Sequence, residues 1–148
     1  MEAVQTRKHF TIALDWKLRT IEQWLEQYGS WLLLDNHYES LGASSTLGKL
    51  LDSVQGVNSD RRRRALPRCN ISFEQAMAIE EMLTHVLQTE SSKPKQWLKV
   101  VIAHYVDAYI EEDIAKHHGV TGYSVKRDKV LGLVRLATRF KFRSYLFE

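Results

Sequence analysis

The chain has 148 residues, 44% of them hydrophobic and 26% charged, which excludes an intrinsically disordered protein and allows a buried core. Its apolar runs are far shorter than the about 20 residues of a bilayer-spanning helix, and no secretory leader is recognisable. Together with a single cysteine, which excludes an internal disulfide, this predicts a cytoplasmic protein with no membrane partner.

The charge is unevenly distributed along the chain. Residues 1–60 contain five basic and eight acidic residues, whereas residues 116–143 contain eight basic residues and one acid, Asp128. Between these regions lies a run of four arginines, from Arg61 to Arg64, with Arg68 close behind. A basic end joined to an acidic end indicates a polyanionic partner at one side of the molecule, although a solvated basic surface has the same composition.

Apolar residues at helical spacing dominate the first 34 residues. They predict an amphipathic helix over residues 11–34 that buries Trp24 and Trp31, with Gly29 as a position where the helix bends or ends. A short helix over residues 46–54 follows. Residues 55–70 have the turn composition of an exposed loop and linker. The loop is a candidate contact for RNA or duplex phosphates through its basic residues, Arg61, Arg62, Arg63, Arg64 and Arg68.

Two further helices are predicted in the middle of the chain. Ser72 and Gln75 form a capping box, so a helix should begin there and extend to about Thr89. Pro94 starts another helix, capped by Ser92 or Lys93 and extending to about Tyr109. Because no strand or repeat pattern stands out, the predicted fold is all-α, a compact helical bundle.

Residues 98–140 carry the pattern of a helix-turn-helix. Ala115 is the small residue that lets the second helix cross the first, and Gly119, four positions later, suits the positive φ of the turn. Ile114, Val120 and Val125 are the expected apolar anchors. His118 and Asp128 are polar at positions where further anchors are expected.

The second helix of this motif begins with residues that suit base edges and phosphates, while Glu111, Glu112 and Asp113 on the first helix should face away from DNA. The far half of this long helix, which contains Gly132, should pack on the body. The predicted contacts to duplex DNA are Thr121, Tyr123, Ser124, Lys126 and Arg127, with Lys116, Arg135 and Arg139 on flanking phosphates.

The C-terminal tail, residues 139–147, alternates basic and aromatic residues. Such a pattern binds single-stranded nucleic acid by stacking, but it equally suits an apolar strap that closes the core or a surface for a protein partner. The domain organisation predicted overall is an N-terminal helical segment (1–60), a basic loop (61–70) and a helical body (71–148) that pack as one domain.

No arrangement of residues indicates an enzyme. Glu111, Glu112 and Asp113 are consecutive and therefore fan around a helix, and no glycine-rich phosphate loop is present. Cys69 and the scattered histidines are a poor set for zinc, and Cys69 is expected to be a small buried hydrophobe. We expect neither a metal nor a cofactor.

The order of short motifs resembles the phage late-gene antiterminators of the Q type, particularly the lambdoid phage 21 class. The resemblance covers roughly residues 20–140. Its motifs are Tyr28-Gly29-Ser30-Trp31, Leu66-Pro67-Arg68-Cys69, Ser72-Phe73-Glu74-Gln75-Ala76-Met77-Ala78-Ile79, Met82-Leu83, and His104-Tyr105-Val106 leading into the helix-turn-helix.

This resemblance implies a phage or prophage protein that acts in a bacterial host. It would bind a DNA element near a late promoter, singly or with a second copy, and load onto a paused RNA polymerase that still holds its sigma factor. It would then narrow the RNA exit channel so that terminator hairpins in the nascent RNA cannot form, a steric mechanism without catalytic residues.

Three other functions remain open from the sequence. The first is a conventional helix-turn-helix activator or repressor. The second is an RNA-binding adaptor that uses the arginine run, and the third is a helical bundle that binds only proteins.

Overall fold

A computed structural model describes residues 15–39 and 64–147, without the side chains of residues 35–39. All regular elements in these ranges are helical, which confirms the predicted all-α fold. Two short 3-10 turns, Trp16–Leu18 and Tyr145–Phe147, flank the longer helices. These helices are α1 (Ile21–Glu39), α2 (Phe73–Thr89), α3 (Ser92–Val101), α4 (Glu111–His118) and α5 (Gly122–Phe140). The predicted helix over residues 46–54 lies outside the described residues, as do Arg61, Arg62 and Arg63.

The first long helix begins later than the apolar spacing predicts. The Asp15 carboxylate accepts a hydrogen bond from the backbone N–H of Lys17 and caps the 3-10 turn. The backbone then becomes extended at Arg19, and α1 begins after Thr20. The Thr20 hydroxyl accepts from the N–H of Gln23 at 3.2 Å, and the Gln23 side chain accepts from the N–H of Thr20 at 3.0 Å. This reciprocal cap sets the helix start, because it satisfies two of the free donors there.

Gly29 does not end α1, which continues for ten more residues. A Cβ atom at this position would overlap the carbonyl oxygen of Val106 and lie 3.2 Å from a methyl group of Leu66. The glycine is therefore required by the close approach of another segment of backbone, and the predicted helix end at this position was wrong.

The central helix α2 forms as predicted. Its capping box is complete, since Ser72 Oγ accepts from the N–H of Gln75 and the Gln75 side chain accepts from the N–H of Ser72. Its buried stripe includes Ile79, Met82 and Leu83, which are almost fully inaccessible to solvent.

The helix that follows differs from the prediction at both ends. Its N-cap is Ser91, one residue earlier than expected, and α3 does not continue as an α-helix to Tyr109. From Ile102 to Val106 it widens into a π-helical turn, in which the N–H of Asp107 bonds to the carbonyl of Ile102. Ala108 then takes a positive φ of 62°, which directs the chain into α4.

The last helix, α5, is continuous through Gly132. A Cβ atom at Gly132 would lie 2.6 Å from a methyl group of Val101 and 2.9 Å from the carbonyl oxygen of Trp97. The glycine therefore lets α5 pack closely against α3. This contact confirms that the far half of the long helix packs on the body.

One buried cluster joins the two ends of the described chain. It includes Trp16, Trp24 and Tyr28 from the N-terminal part, together with side chains of α2, α3 and α5 and with Phe142. Trp16 stacks on Phe142, with the ring centroids 4.5 Å apart. The described parts of the predicted N-terminal segment and helical body therefore share one core.

Residues 64–70 form an irregular and mostly exposed segment, as predicted for this part of the loop, but the segment is hydrogen-bonded to α1. The Gln27 side chain donates to the carbonyl of Arg68 and accepts from the N–H of Asn70, and Ser30 Oγ donates to the carbonyl of Pro67 at 2.6 Å. These bonds hold the segment along α1. In the described ranges no helix is both long and apolar enough to cross a membrane.

Candidate nucleic-acid interface

Helices α4 and α5 are joined by a three-residue turn. Gly119 has φ 65° and ψ 35°, a left-handed conformation that glycine adopts without strain. The N–H of Val120 bonds to the carbonyl of Ala115 at 3.0 Å, and the Thr121 hydroxyl caps α5 by accepting from the N–H of Ser124 at 3.1 Å. The turn glycine and the cap therefore lie where the sequence predicts them.

A small apolar cluster holds this helix pair on the body. Ile114, Ala115 and Val125 are buried in this cluster. They pack with residues of the end of α3 and the segment that follows it, namely Val100, Ala103 and Tyr109. Val120, by contrast, is 40% exposed, so its predicted role as an anchor is wrong. Val120 lies in the turn between the left-handed Gly119 and the start of α5, where its side chain reaches solvent.

The outer side of the first turns of α5 is exposed and basic. Tyr123 and Arg127 are four positions apart, and Lys126 and Val130 are spaced so that all four side chains share one surface of the helix. All four are exposed, and Tyr123 is 75% accessible. We refer to Tyr123, Lys126, Arg127 and Val130 together as the basic face. Lys116, in the last turn of α4, is also exposed.

Asp128 is polar at an expected anchor position because it binds its neighbour. Its carboxylate is 8% exposed, and its Oδ1 atom accepts from both Nε and Nη2 of Arg127, each at 3.2 Å. His118, the other polar departure, is half-buried, and its Nδ1 atom lies 2.9 Å from the side-chain nitrogen of Gln96. Burial is the main cause that lowers the pKa of His118.

The acidic start of α4 is only partly directed outward. Glu111 forms an ion pair with Lys129 of α5 at 2.7 Å. Burial alone would raise the pKa of Glu111, but the hydrogen bond and charge of Lys129 outweigh it and lower the pKa. Lys129 is therefore used to join α4 to α5, and Glu112 is exposed.

Two predicted phosphate contacts lie in a different cluster. Arg135 Nε is 3.1 Å from both carboxylate oxygens of Glu90, and Arg139 Nη1 is 2.5 Å from one of them. The Glu90 side chain is 3% exposed. Its burial would raise its pKa, yet the two guanidinium groups lower it. Arg135 and Arg139 thus tie the far half of α5 to the end of α2, apart from the basic face.

Arg64, the last residue of the arginine run, is bound inside the molecule. Its Nη2 and Nε atoms donate to the carbonyl of His104 at 2.7 and 3.2 Å, and its Nη1 lies 3.3 Å from the carboxylate of Glu26. Its own N–H donates to the carbonyl of Ala108. A π-helical turn changes the pattern of backbone hydrogen bonds. Here the Arg64 side chain provides donors for one carbonyl oxygen of that turn. The guanidinium of Arg64, a predicted phosphate contact, is thus engaged within the protein, whereas Arg68 is exposed.

The histidine of the same turn is buried. His104 Nδ1 lies 3.1 Å from the carbonyl oxygen of Tyr109 and must donate to it, since a carbonyl only accepts. Burial, with the charges of Lys129 and Arg64, lowers the pKa of His104 to about 4. The ring is therefore neutral at physiological pH, and its role is to fix the joint between α3 and α4.

The tail is a strap that closes the core. Phe142 and Ser144 are buried, and Ser144 Oγ donates to the buried carboxylate of Glu22 at 2.6 Å. The N–H of Ile21 bonds to the carbonyl of Arg143. Three interpretations of the tail were open, and residues 142–144 fit the apolar strap. Tyr145, Leu146 and Phe147 remain exposed.

The sequence reasoning overlooked the acids that organise these arginines. Glu90 pairs with residues 45 and 49 positions away, so no local pattern indicates it. Asp128 adjoins Arg127, and a polar residue on the buried side of an amphipathic helix was a usable signal. Cys69 is half-buried and a free thiol, so it is less enclosed than expected. In the described part of the chain no three His, Cys, Asp or Glu side chains are grouped as metal ligands.

Comparison with protein-family models, curated proteins and solved structures finds no match to this chain.

Proposed function

We propose that this chain binds duplex DNA through the basic face of α5 and thereby acts in transcription. The observation that carries the proposal is the exposed cluster of Tyr123, Lys126 and Arg127 in the first turns of a helix. This helix is presented by a tight glycine turn from a shorter helix. In helix-turn-helix proteins, the same part of the second helix enters the major groove.

Several of the other basic residues are engaged within the protein. Lys129, Arg135, Arg139 and Arg64 are all used in contacts within the protein, whereas Lys126 and Lys116 extend into solvent. Thr121 and Ser124 are bonded to each other and to the helix start, so they set its geometry and lie beside any phosphate that approaches it.

The more specific proposal is that the DNA contact loads the protein onto RNA polymerase as an antiterminator in the bacterial cytoplasm. This part rests on the resemblance to the Q-type proteins. A conventional activator or repressor would use the same basic face to bind DNA. It differs from an antiterminator only in its later effect, which falls on initiation and not on readthrough of a terminator.

The DNA-binding test compares two charge-matched double variants in titrations of labelled duplex DNA at several salt concentrations. Lys126→Ala with Arg127→Ala should weaken binding and lower the salt dependence by up to about two phosphate contacts. The control, Lys17→Ala with Lys93→Ala, removes two exposed lysines elsewhere and should bind like the wild type. Equal weakening by both variants would contradict a localised interface.

Transcription then separates the two regulatory functions. A purified polymerase transcribes a template carrying the binding site and an intrinsic terminator far downstream. Readthrough that depends on Lys126 and Arg127 supports antitermination. A change in initiation alone supports the activator or repressor and contradicts the more specific proposal.

A further inference from the structure

We infer that Asp128 is a positioning residue which holds Arg127 for the recognition of a guanine in the major groove. This inference rests on the proposed function, because it names the base that the basic face would read. It goes beyond that proposal by assigning a role in specificity to a buried acid that cannot itself attract DNA.

The contact has the geometry of a brace. One carboxylate oxygen of Asp128 accepts from Nε and Nη2 of Arg127, two donors on the same edge of the guanidinium. The acid is 8% exposed and the arginine 53% exposed, so the bond spans from the protein interior to its surface. A buried carboxylate requires such donors, because an unpaired charge there is costly.

The remaining edge of the guanidinium suits guanine. Arginine has five N–H donors, and the brace uses the Nε–Nη2 edge. The terminal Nη1–Nη2 edge still offers two parallel donors, and it bonds to no acceptor among residues 15–39 and 64–147. Guanine presents two adjacent acceptors, N7 and O6, in the major groove, and arginine binds both at once.

The brace also has an energetic consequence. A free arginine side chain loses up to about 2 kcal/mol of rotamer entropy when it is fixed. Asp128 fixes Arg127 before DNA arrives, so less of that loss falls on binding. Lys126, on the same face, is exposed and forms no such ion pair with residues 15–39 or 64–147, so it is suited to phosphate contact without base preference.

The test requires a duplex that the full chain selects from a random-sequence pool. A guanine whose replacement weakens wild-type binding, but not binding by Arg127→Ala, identifies the contacted base. At that position, 7-deazaguanine removes the N7 acceptor and keeps base pairing. The measured quantity is the ratio of the affinities for the guanine and 7-deazaguanine duplexes.

We expect this ratio to be about tenfold for the wild type, in line with a bidentate contact. In Asp128→Asn, which keeps the shape and removes the charge, it should fall to about threefold or less. In Lys126→Ala both affinities should fall and the ratio should persist. A ratio that is unchanged in Asp128→Asn overturns the inference, since a purely structural acid would lower both affinities equally.

The outcomes distinguish the two proposals. If the wild type binds no duplex, the proposed function fails. If it binds but no guanine depends on Arg127, only the inference fails.

A second measurement applies even if Asp128→Asn does not fold. In the wild-type protein without DNA, NMR should show slow solvent exchange of the Arg127 Nε–H, compared with that of the exposed Arg68. Equally fast exchange in both arginines overturns the inference.

Discussion

At the scale of single residues, the clearest feature is that neighbouring arginines have opposite roles. Arg64 spans α1 and the π-helical turn through Glu26 and the carbonyl of His104. Its guanidinium also lies over the ring of Tyr105, 5.6 Å from the centroid. Arg68, four residues later, is exposed and contributes its backbone carbonyl to Gln27. Arg64 and Arg68 therefore do not share one surface.

This difference predicts different effects on stability. Arg64→Ala should lower the free energy of unfolding by about 1–3 kcal/mol, because it leaves a carbonyl and a carboxylate without their donor. Arg68→Ala should change it by less than about 0.5 kcal/mol. Urea denaturation of both variants measures this, and equal stabilities would contradict the bracing role of Arg64.

Contacts between residues that are close in the chain could be predicted from the sequence. Ser72 with Gln75 and Gly119 with Thr121 act within a few residues, so their spacing alone predicted two helix starts and a turn. Thr20 with Gln23 has the same local pattern and was missed, because the apolar repeat continues across it.

At the scale of elements, two glycines allow the helices to approach closely. Gly29 of α1 faces the carbonyl of Val106, and Gly132 of α5 faces that of Trp97. Gly29 was predicted as a possible interruption, since a glycine in a helix is locally unfavourable. The partner backbone, which is distant in sequence, decides otherwise, and no local pattern indicated the π-helical turn either.

Gly29 provides a sharp test of this packing. Gly29→Ala improves helix propensity by about 1 kcal/mol but overlaps a backbone oxygen that cannot rotate away. We expect a net loss of about 2 kcal/mol or more in the free energy of unfolding. Gly122→Ala is the matched control, because nothing lies within 4 Å of the new methyl group. It should be neutral or slightly stabilising, and thermal denaturation that ranks the two variants the other way would refute the close approach.

At the scale of the whole molecule, the charges divide into structural and available groups. Glu90, Glu111 and Glu26 each bind a basic residue from another part of the chain and thereby join separate segments of the fold. The basic residues left exposed near the glycine turn are Lys116, Lys126 and Arg127, which lie on α4 and the start of α5. Some of the predicted DNA contacts therefore lie on one face. Arg135 and Arg139 do not, because they form ion pairs with Glu90, which is distant in sequence.

The central claim is that duplex DNA meets the protein at this face. The most direct measurement is the change of backbone amide NMR signals when a short duplex is added to the full chain. We predict the largest changes at Lys116 and from Gly119 to Val130, with small changes at Arg68 and Tyr145–Phe147. Changes concentrated at those latter residues, or none at any residue, would contradict the claim.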